Sequence, residues 1–487
     1  MQYKLHLPIA STQDPLCSKP KEQCGVIAVW LPIGSAPDLA ARLVHHGLFA
    51  LQHRGQQAAG IASLDDHGRI HSARARGLVS NALPVERVAE LPGHVAVGHV
   101  RYSTVAQDHE DNLQPLHATT PYGRLAIAHN GNIKNADELS RILLRSGAML
   151  YTTMDTEVLL QLVARSGATD FPGALTHAAA QLVGSYSLTM MRQGRIYGLR
   201  DGFGVRPLVL GKIAGKNLGW IIASETCALH SVGAEYVREV EPGELVEIGP
   251  MGIHSTQLLP PRHPPAPCVF ELVYFSRPES KVFGQSVYAA RFKMGIELAR
   301  QDIDLPKPDL VIPVPDSGVP AALGYSRESQ LPFERAVLRG NNVDRTFILP
   351  SQDERTQSLS RKLSVSQSAV QGKRVVLVDD SLVRGNTARV LVKLVRDRGA
   401  KEVWLRLASP PIGWPCHLGV DIRTRDELLI NRASEERNLD GSVLSPAEIV
   451  RRYVGADSLR YLSLSKLRRA TLEQPFCMAC MTGEYPL

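Results

Sequence analysis

The sequence predicts two consecutive αβ domains, a strand-rich α+β half followed by an α/β half with a parallel sheet. Five prolines lie between Leu258 and Cys268. Proline fits neither a helix interior nor a central strand, so this stretch marks the boundary. Before it, glycine-punctuated runs alternate apolar and small residues, as strands do. After it, short apolar runs alternate with helical patterns, which is typical of βαβ units.

Composition and charge narrow the class of protein. The chain has 487 residues, 44% hydrophobic and 21% charged, which is typical of a globular chain with packed cores. The net charge is +7, but the basic residues are dispersed, and we expect no nucleic-acid partner. We find neither an apolar run of membrane-spanning length nor a secretory signal at the N-terminus, which favours a cytoplasmic protein without a membrane partner. Seven cysteines form an odd and sparse set, which argues against a disulfide framework.

In the N-terminal half, a β-branched run begins directly after Cys24 and predicts a buried strand over Val26–Trp30. The segments "HVAVGHVRYST" and "RLAIAHNGN" predict further strands that end in turns. The segment "DTEVLLQLVARSG" predicts a helix with Asp155 as N-cap and Gly167 as its stop. Cys227 is predicted to lie in a core strand.

In the C-terminal half, buried strands are predicted over 309–315, 374–378 and 402–409, and an amphipathic helix over 387–399. The motif "VVLVDDSLVRGNTA" joins a strand to that helix. In an open α/β sheet, ligands bind at the carboxyl ends of strands, and a helix N-terminus suits a phosphate.

Two adjacent carboxylates beside a phosphate make sense if they bind sugar hydroxyls, or a Mg²⁺ ion that holds a pyrophosphate. The motif therefore predicts a site for phosphoribosyl pyrophosphate (PRPP); the alternative is an ordinary solvated strand end. The predicted PRPP-binding residues in it are Asp379, Asp380, Ser381, Arg384, Gly385 and Thr387.

This motif resembles that of the type I phosphoribosyltransferases. The N-terminal segments "CGV", "LQHRGQQAAGI", "GHVRYST", "AHNGN" and "MDTE" resemble glutamine amidotransferases of the N-terminal-nucleophile class. Their order narrows the resemblance to the amidophosphoribosyltransferase family. It implies an αββα glutaminase domain over 24–257 and a doubly wound parallel-sheet phosphoribosyltransferase domain over 258–487.

Hydrolysis of a carboxamide needs a nucleophile, a proton shuttle and an oxyanion hole. Cys24 is the candidate nucleophile, although a core thiol is the simpler interpretation of a lone cysteine. If Cys24 were the first residue, its α-amino group would titrate near 7.7–8.0 and could act as base. The hypothesis therefore requires removal of residues 1–23 as a propeptide, by self-processing.

The resemblance also implies roles for four other residues of the N-terminal half. Asn130 and Gly131 would form the oxyanion hole, Arg101 would bind the glutamine α-carboxylate, and Asp155 its α-ammonium. Taken singly, each has a simpler interpretation: a hairpin turn for Asn130-Gly131, a surface ion pair for Arg101 and a helix cap for Asp155. We interpret His53, His99 and His129 as structural.

Four further cysteines form a candidate metal site at the end of the chain: Cys268, Cys416, Cys477 and Cys480. A CxxC pair is a moderate signal, and four thiolates suit either Zn²⁺ or a [4Fe–4S] cluster, so spacing leaves both open. The surrounding segments resemble those of the cluster-containing branch of the family, which implies a structural [4Fe–4S] cluster.

One loop departs from the family pattern. Asn341, Asn342 and Asp344 stand where the family has a cation, an aromatic residue and a glycine in the loop that closes over PRPP. Arg345 and Lys362 remain as phosphate partners. The resemblance further assigns Ser317 to the Mg²⁺ side of the site and Tyr274 to the coupling of the two sites.

The function expected from these features is glutamine-dependent amination of PRPP to 5-phosphoribosylamine, the first step of de novo purine synthesis. The family also implies purine nucleotides as inhibitors and a homotetramer. Two alternatives stay open: a paralogue that keeps glutaminase activity but has lost phosphoribosyl transfer, and a non-catalytic iron–sulfur or PRPP-sensing protein.

Overall fold

The computed structural model describes residues 24–102, 112–215, 219–339, 363–422, 424–431 and 444–486. Several predicted features lie outside these ranges: the propeptide, the phosphate partners Arg345 and Lys362, and the loop positions that differ from the family pattern, Asn341, Asn342 and Asp344. No helix within them is long and apolar enough to cross a bilayer.

Two antiparallel sheets form the N-terminal half. The first has the order β11-β9-β10-β1-β4-β2-β3 and the second β13-β12-β8-β7-β6-β5. The strands are β1 (Gly25–Trp30), β2 (Ala58–Leu64), β3 (Ile70–Arg76), β4 (Val95–Arg101), β5 (Leu116–Thr120), β6 (Gly123–Ile133), β7 (Gly184–Arg192), β8 (Arg195–Arg200), β9 (Val209–Ile213), β10 (Gly219–Ala223), β11 (Ala234–Glu239), β12 (Glu244–Gly249) and β13 (Gly252–Gln257).

The two sheets face each other across a shared apolar layer, to which Val26 and Ala28 contribute from β1 and Ala126 and Ala128 from β6. Helices cover both outer faces. Those on the first sheet are α1 (Leu39–Ala50), α2 (Val79–Ala82), α3 (Val85–Ala89) and α7 (Thr226–Ser231), and those on the second are α4 (Ala136–Arg145), α5 (Asp155–Ala164) and α6 (Phe171–Ala179). The predicted αββα layering is confirmed.

A parallel sheet of order β16-β19-β20-β21 organises the C-terminal half. Its strands are β16 (Leu310–Pro313), β19 (Arg374–Asp379), β20 (Glu402–Leu407) and β21 (Ser458–Tyr461); β14 (Lys281–Val282) pairs with β15 (Gln285–Ser286), and β17 (Val337–Arg339) with β18 (Leu363–Val365). Further helices are α8 (Val287–Gln301), α9 (Val319–Ser329), α10 (Gln367–Val370), α11 (Asn386–Asp397), α12 (Pro446–Val454), α13 (Leu464–Ala470) and α14 (Ala479–Thr482).

Helices cover both faces of this sheet, since β19 alternates its side chains between two cores. Val376 and Val378 pack with α8, α9 and α13, whereas Val375 and Leu377 pack with α11 and α12. The predicted doubly wound parallel sheet is confirmed. The helix predicted over 387–399 begins one residue earlier, after Gly385 at a left-handed N-cap position (φ 77°).

Two local predictions were wrong. Asp155 is the first residue of α5 rather than its N-cap; Met154 occupies the cap position, and no side chain caps the helix there. Cys227 lies in α7, not in a core strand. At Asp155 the sequence pattern identified the helix but not its first residue. At Cys227 it predicted the wrong type of element, a strand instead of a helix.

A buried charge network joins the two halves. Arg54 donates to Glu225 and, through Nη2 at 2.6 Å, to Oε2 of Glu271. Arg206 donates to the other oxygen of Glu271 at 3.1 Å. All four side chains are at most 1% exposed. Glu271 begins a π-helical turn, Glu271–Phe275, that also carries Tyr274.

We predict that Glu271→Ala lowers the free energy of unfolding by about 3–5 kcal/mol, because it removes the carboxylate that two buried guanidinium groups share. Denaturant unfolding of the purified chain measures this. Glu328→Ala is the matched control: Glu328 pairs with Arg300 at 2.8 Å, but both side chains are partly exposed. Its loss changes stability by about 1 kcal/mol or less. Equal effects of the two substitutions would contradict the prediction.

Candidate active sites and cysteine group

Cys24 and Arg101 lie at neighbouring strand ends of the first sheet. Cys24 immediately precedes β1, Arg101 is the last residue of β4, and Gly25 pairs with Val100 between them. The Cys24 sulfur lies 3.9 Å from the carbonyl oxygen of Tyr102. Burial raises the pKa of the Cys24 thiol, against a smaller lowering by Arg101. The thiol is therefore protonated at neutral pH, and a base must accept its proton when it attacks.

Asn130 and Gly131 lie inside β6, not in a hairpin turn, so that alternative is excluded. Asn130 is fully buried, and within the described residues neither its side-chain oxygen nor its nitrogen has a hydrogen-bond partner. It continues the face of Ala126 and Ala128, which packs against the first sheet. A buried amide without a partner costs free energy and indicates a ligand-binding role.

The backbone at Gly131 is arranged as an open donor. Tyr186 pairs with Gly131 across β6 and β7, but its N–H and C=O bond to Asp201 instead. Because hydrogen-bonded and non-hydrogen-bonded pairs alternate in an antiparallel ladder, the Gly131 N–H points away from β7. Gly131 has φ 152°, and a Cβ there would lie 2.1 Å from the Ser185 carbonyl oxygen. Only glycine fits this position.

Asp155 lies beside the end of β6. Its Oδ2 accepts the Ile133 N–H at 3.1 Å, and its Oδ1 lies 3.4 Å from Nδ1 of His129. Burial works against its ionisation, but His129 and the backbone donors outweigh burial and lower the pKa of Asp155. Because its pKa is lowered, this carboxylate is ionised at neutral pH and attracts a cation. The charges of Arg101 and Asp155 act on the pKa of the Cys24 thiol in opposite directions, Arg101 lowering it and Asp155 raising it.

The histidines have structural surroundings. His53 Nε2 donates to Glu225 Oε1 at 2.7 Å, in the network between the two halves. Burial lowers the pKa of His99 to about 3, so its ring is neutral. Sequence reasoning missed Asn112, whose carbonyl oxygen accepts a hydrogen bond from Arg101 and whose side chain bonds to Thr153. No local signal identifies it, because the contact spans separate segments.

The second site lies at the carboxyl edge of the parallel sheet. Asp379 ends β19, and Asp379, Asp380 and Ser381 are at most 5% exposed. Asp380 donates its N–H to Asp379 Oδ1 at 2.9 Å and accepts the Ser381 hydroxyl at 2.7 Å. Ser317 follows the neighbouring strand β16, and a Cβ on the next residue, Gly318, would lie 2.6 Å from the Val378 carbonyl oxygen. The two loops therefore meet closely.

The rest of the phosphate motif surrounds the start of α11. Gly385 lies against Leu429 and Tyr453, and Thr387 lies in the first turn of the helix. Asn386 accepts a hydrogen bond from the Tyr453 hydroxyl at 2.9 Å. The Arg384 guanidinium forms an ion pair with Glu427, a partner that the sequence pattern did not indicate.

The four predicted ligand cysteines gather where the chain end meets the body. Cys268 and Cys477 form an isolated parallel bridge, and all four contribute to one apolar cluster. Burial raises the pKa of Cys268, Cys477 and Cys480, and the charges of the other thiols raise it further. Within the described residues, no group of three or more His, Cys, Asp or Glu side chains has an arrangement that could hold one metal ion.

Comparisons with known proteins cover both sites. A family model for a glutamine amidotransferase domain matches residues 99–231, and one for a phosphoribosyl transferase domain matches residues 285–407. Amidophosphoribosyltransferase of Mycobacterium tuberculosis is 42% identical over 96% of this chain and 87% of its own length.

The chain belongs to the amidophosphoribosyltransferase family.

Other amidophosphoribosyltransferases give similar values. Chloroplastic amidophosphoribosyltransferase 1 of Arabidopsis thaliana is 41% identical over 99% of this chain and 82% of its own. The solved glutamine PRPP amidotransferase of B. subtilis, in complex with ADP and GMP, is 37% identical with a TM-score of 0.84, covering 95% of this chain and 97% of its own. These likenesses support the same two-domain amidophosphoribosyltransferase fold throughout.

We predict that Asn130→Ala lowers kcat for glutamine hydrolysis about 10²–10³-fold, because it removes a donor to the developing oxyanion. KM for glutamine stays close to that of the parent, since Arg101 and Asp155 remain. Steady-state glutamate release measures both constants. Asn81→Ala, at an exposed position on α2, is the control. A loss of less than threefold in kcat would contradict the assignment.

Proposed function

We propose that this chain transfers ammonia from glutamine to PRPP, giving 5-phosphoribosylamine, pyrophosphate and glutamate, as the first step of de novo purine synthesis. The observation that carries this proposal is the presence of two candidate sites in one chain of this family. One has Cys24 and Arg101 at neighbouring strand ends, with the unpartnered Asn130 on β6 and Asp155 beside it; the other has Asp379 and Asp380 at the carboxyl end of β19, ahead of α11.

In the glutaminase site, the Cys24 sulfur attacks the carboxamide carbon and its proton passes to the base. Asn130 Nδ2 and the Gly131 N–H stabilise the resulting oxyanion. Collapse of this intermediate breaks the C–N bond while the base returns its proton to the leaving nitrogen, which releases ammonia and leaves a thioester that water hydrolyses to glutamate. Arg101 binds the α-carboxylate of glutamine and Asp155 its α-ammonium.

The base is the α-amino group of Cys24, which exists only when residues 1–23 have been removed. An amide nitrogen in a Gln23–Cys24 peptide bond cannot accept the thiol proton. We therefore propose that the active form begins at Cys24. The raised pKa of the buried thiol supports the need for this base.

In the second site, Asp379 and Asp380 bind ribose hydroxyls and, with Ser317, supply the oxygen donors that Mg²⁺ prefers. The Mg²⁺ ion would neutralise charge on the pyrophosphate leaving group. Ser381, Gly385 and Thr387 surround the 5-phosphate at the N-terminus of α11.

Three cations complete the proposed phosphate contacts. PRPP competes with Glu427 for Arg384, while Arg345 and Lys362 contribute from outside the described residues. Tyr274 is proposed to couple the two sites. It lies on the π-helical turn and packs against the apolar layers of both the parallel sheet and the cysteine group.

Cys268, Cys416, Cys477 and Cys480 are proposed to hold a [4Fe–4S] cluster. Their donor chemistry fits, since four thiols lie in one cluster, burial and the charges of the other three raise the pKa of Cys480, and none is in a disulfide. Four thiolates would also suit a Zn²⁺ ion, and the resemblance of the surrounding segments to the cluster-containing branch of the family favours the [4Fe–4S] cluster. The cluster would tie the chain end to the body.

The proposal also covers nucleotide inhibition, cellular location and oligomeric state. The B. subtilis protein was solved with ADP and GMP, and we propose that purine nucleotides inhibit this chain as well. We also propose a cytoplasmic homotetramer. Size-exclusion chromatography with light scattering determines the assembly.

We predict that Cys24→Ser and Asp380→Asn separate the two half-reactions. Cys24→Ser abolishes glutamine-dependent phosphoribosylamine formation but keeps ammonia-dependent formation within about twofold. Asp380→Asn lowers both about 10²-fold or more, because each passes through PRPP, yet still hydrolyses glutamine. Pyrophosphate and glutamate release are measured on protein whose intact mass shows a start at position 24.

The parent chain discriminates the alternatives. Glutamine hydrolysis that PRPP leaves unchanged, with no pyrophosphate released, indicates a glutaminase-only paralogue. A purified chain that retains residues 1–23 yet hydrolyses glutamine would refute the proposed base. Ser80→Ala, at an exposed position on α2, serves as the matched control for these substitutions.

We predict that anaerobically purified protein contains about four iron atoms per chain and a broad visible absorbance. Cys480→Ser loses both, because three thiolates hold the cluster poorly. Cys227→Ser is the control, since Cys227 lies in α7, away from the four cysteines. Stoichiometric zinc in place of iron would refute the cluster.

A further inference from the structure

The loop that carries Cys416 lies directly against the strand of the glutaminase oxyanion hole. Asn132 Nδ2 donates to the His417 carbonyl oxygen at 3.1 Å, and the Ser185 hydroxyl donates to the Leu418 carbonyl oxygen at 2.8 Å. Asn132 and Ser185 are paired opposite each other across β6 and β7. One cross-strand pair therefore holds two consecutive carbonyl groups of a loop that lies 233 to 285 residues away along the chain.

The same loop is folded around the Cys416 sulfur. The N–H groups of Leu418 and Val420 lie 3.4 and 3.3 Å from Cys416 Sγ. The peptide group between His417 and Leu418 thus makes a contact on each side: its N–H faces the sulfur, and its C=O accepts from Asn132. A rotation of this one planar peptide changes both contacts together.

A third donor fixes the loop from the charge network between the two halves. Arg206 Nη2 donates to the Leu418 carbonyl oxygen at 3.0 Å while its Nη1 bonds to Glu271. Ser185 and Arg206 are fully buried. The Leu418 carbonyl thus uses both lone pairs on residues of the glutaminase half, which restricts the loop to one position.

These contacts end beside the oxyanion donors. Asn132 directly follows Gly131, and its side chain projects from the same face of β6 as that of Asn130. The Ser185 carbonyl lies so close to Gly131 that no Cβ fits between them. A displacement of Asn132 or Ser185 therefore moves the Gly131 N–H and Asn130.

We propose that Asn132 is a positioning residue. Through it, the loop that carries Cys416 holds β6, the strand of Asn130 and Gly131, in its catalytic geometry. Asn132 does not touch glutamine; it transmits the position of the loop to Gly131 and Asn130. The inference rests on the proposed glutaminase function and adds to it a contact between the phosphoribosyltransferase half and the oxyanion hole, separate from Tyr274.

The test compares Asn132→Ala with Asn135→Ala in the full-length protein. Asn135 is the matched control, since its amide also bonds to a main-chain carbonyl, that of Gln181, but within the glutaminase half. For Asn132→Ala we expect glutamine-dependent kcat to fall about 10–100-fold, as for a small misplacement of catalytic groups. Ammonia-dependent kcat and KM for glutamine stay within twofold, and Asn135→Ala keeps the parent ratio of the two activities.

A second measurement isolates the oxyanion hole from turnover. Glutamate γ-semialdehyde forms a tetrahedral adduct with the Cys24 sulfur, and the adduct's oxygen occupies the oxyanion site. We expect its affinity to fall about tenfold or more in Asn132→Ala, with the affinity for the product glutamate unchanged. Ser185→Ala removes only the contact to Leu418, and we expect it to lower the aldehyde affinity in the same way. It replaces Asn132→Ala in this measurement if Asn132→Ala does not fold.

The outcomes separate this inference from the function on which it rests. Equal losses of glutamine- and ammonia-dependent activity, or an unchanged aldehyde affinity in both variants, would overturn the positioning role. A parent protein that uses no PRPP would overturn the proposed function instead, while the aldehyde affinities would still decide whether Asn132 positions the oxyanion hole.

Discussion

The rest of the structure depends on the buried charge network of Arg54, Arg206, Glu225 and Glu271. Burial of an ion is strongly unfavourable unless its partner is also present with good geometry. Here two cations come from the glutaminase half, one carboxylate from each half, and the four formal charges cancel. Burial alone would raise the pKa of Glu271, but Arg54 and Arg206 outweigh it and lower that pKa. The network is complete only when the two halves dock in one register, so it selects that register.

That register decides what lies between the two active sites. Glu271 begins the π-helical turn that presents Tyr274, and Arg291 fixes this turn by donating to the carbonyl oxygens of Leu272 and Ser276. Arg206 reaches from the same network to the Cys416 loop. The turn and the loop are thus two physical connections between a site that releases ammonia and a site that uses it.

Much of the architecture followed from local pattern. The structure confirms the strands predicted from the β-branched run after Cys24 and from the apolar runs at 309–315 and 374–378. It also confirms the fold classes predicted for the segments before and after the proline-rich stretch. Prediction from local pattern failed where the conformation or contacts of a residue depend on partners that are distant in the sequence. The Asn130-Gly131 pair resembles a hairpin turn in isolation, and β7 extends it instead as a strand. Asp155 resembles a helix cap, but Ile133 and His129 occupy its carboxylate.

The amino-acid sequence alone identifies the residue types that the chemistry requires: a thiol that could become N-terminal, two adjacent carboxylates before a glycine-containing loop, and four cysteines in the C-terminal half. These are properties of short segments, because spacing and side-chain chemistry are local. Only the tertiary structure decided that Asn130 is buried without a partner, that Arg384 is paired with Glu427, and that Asn132 bonds to the Cys416 loop. These contacts join residues up to 285 positions apart, and no short-range pattern encodes them, because they form only when both halves are folded and docked.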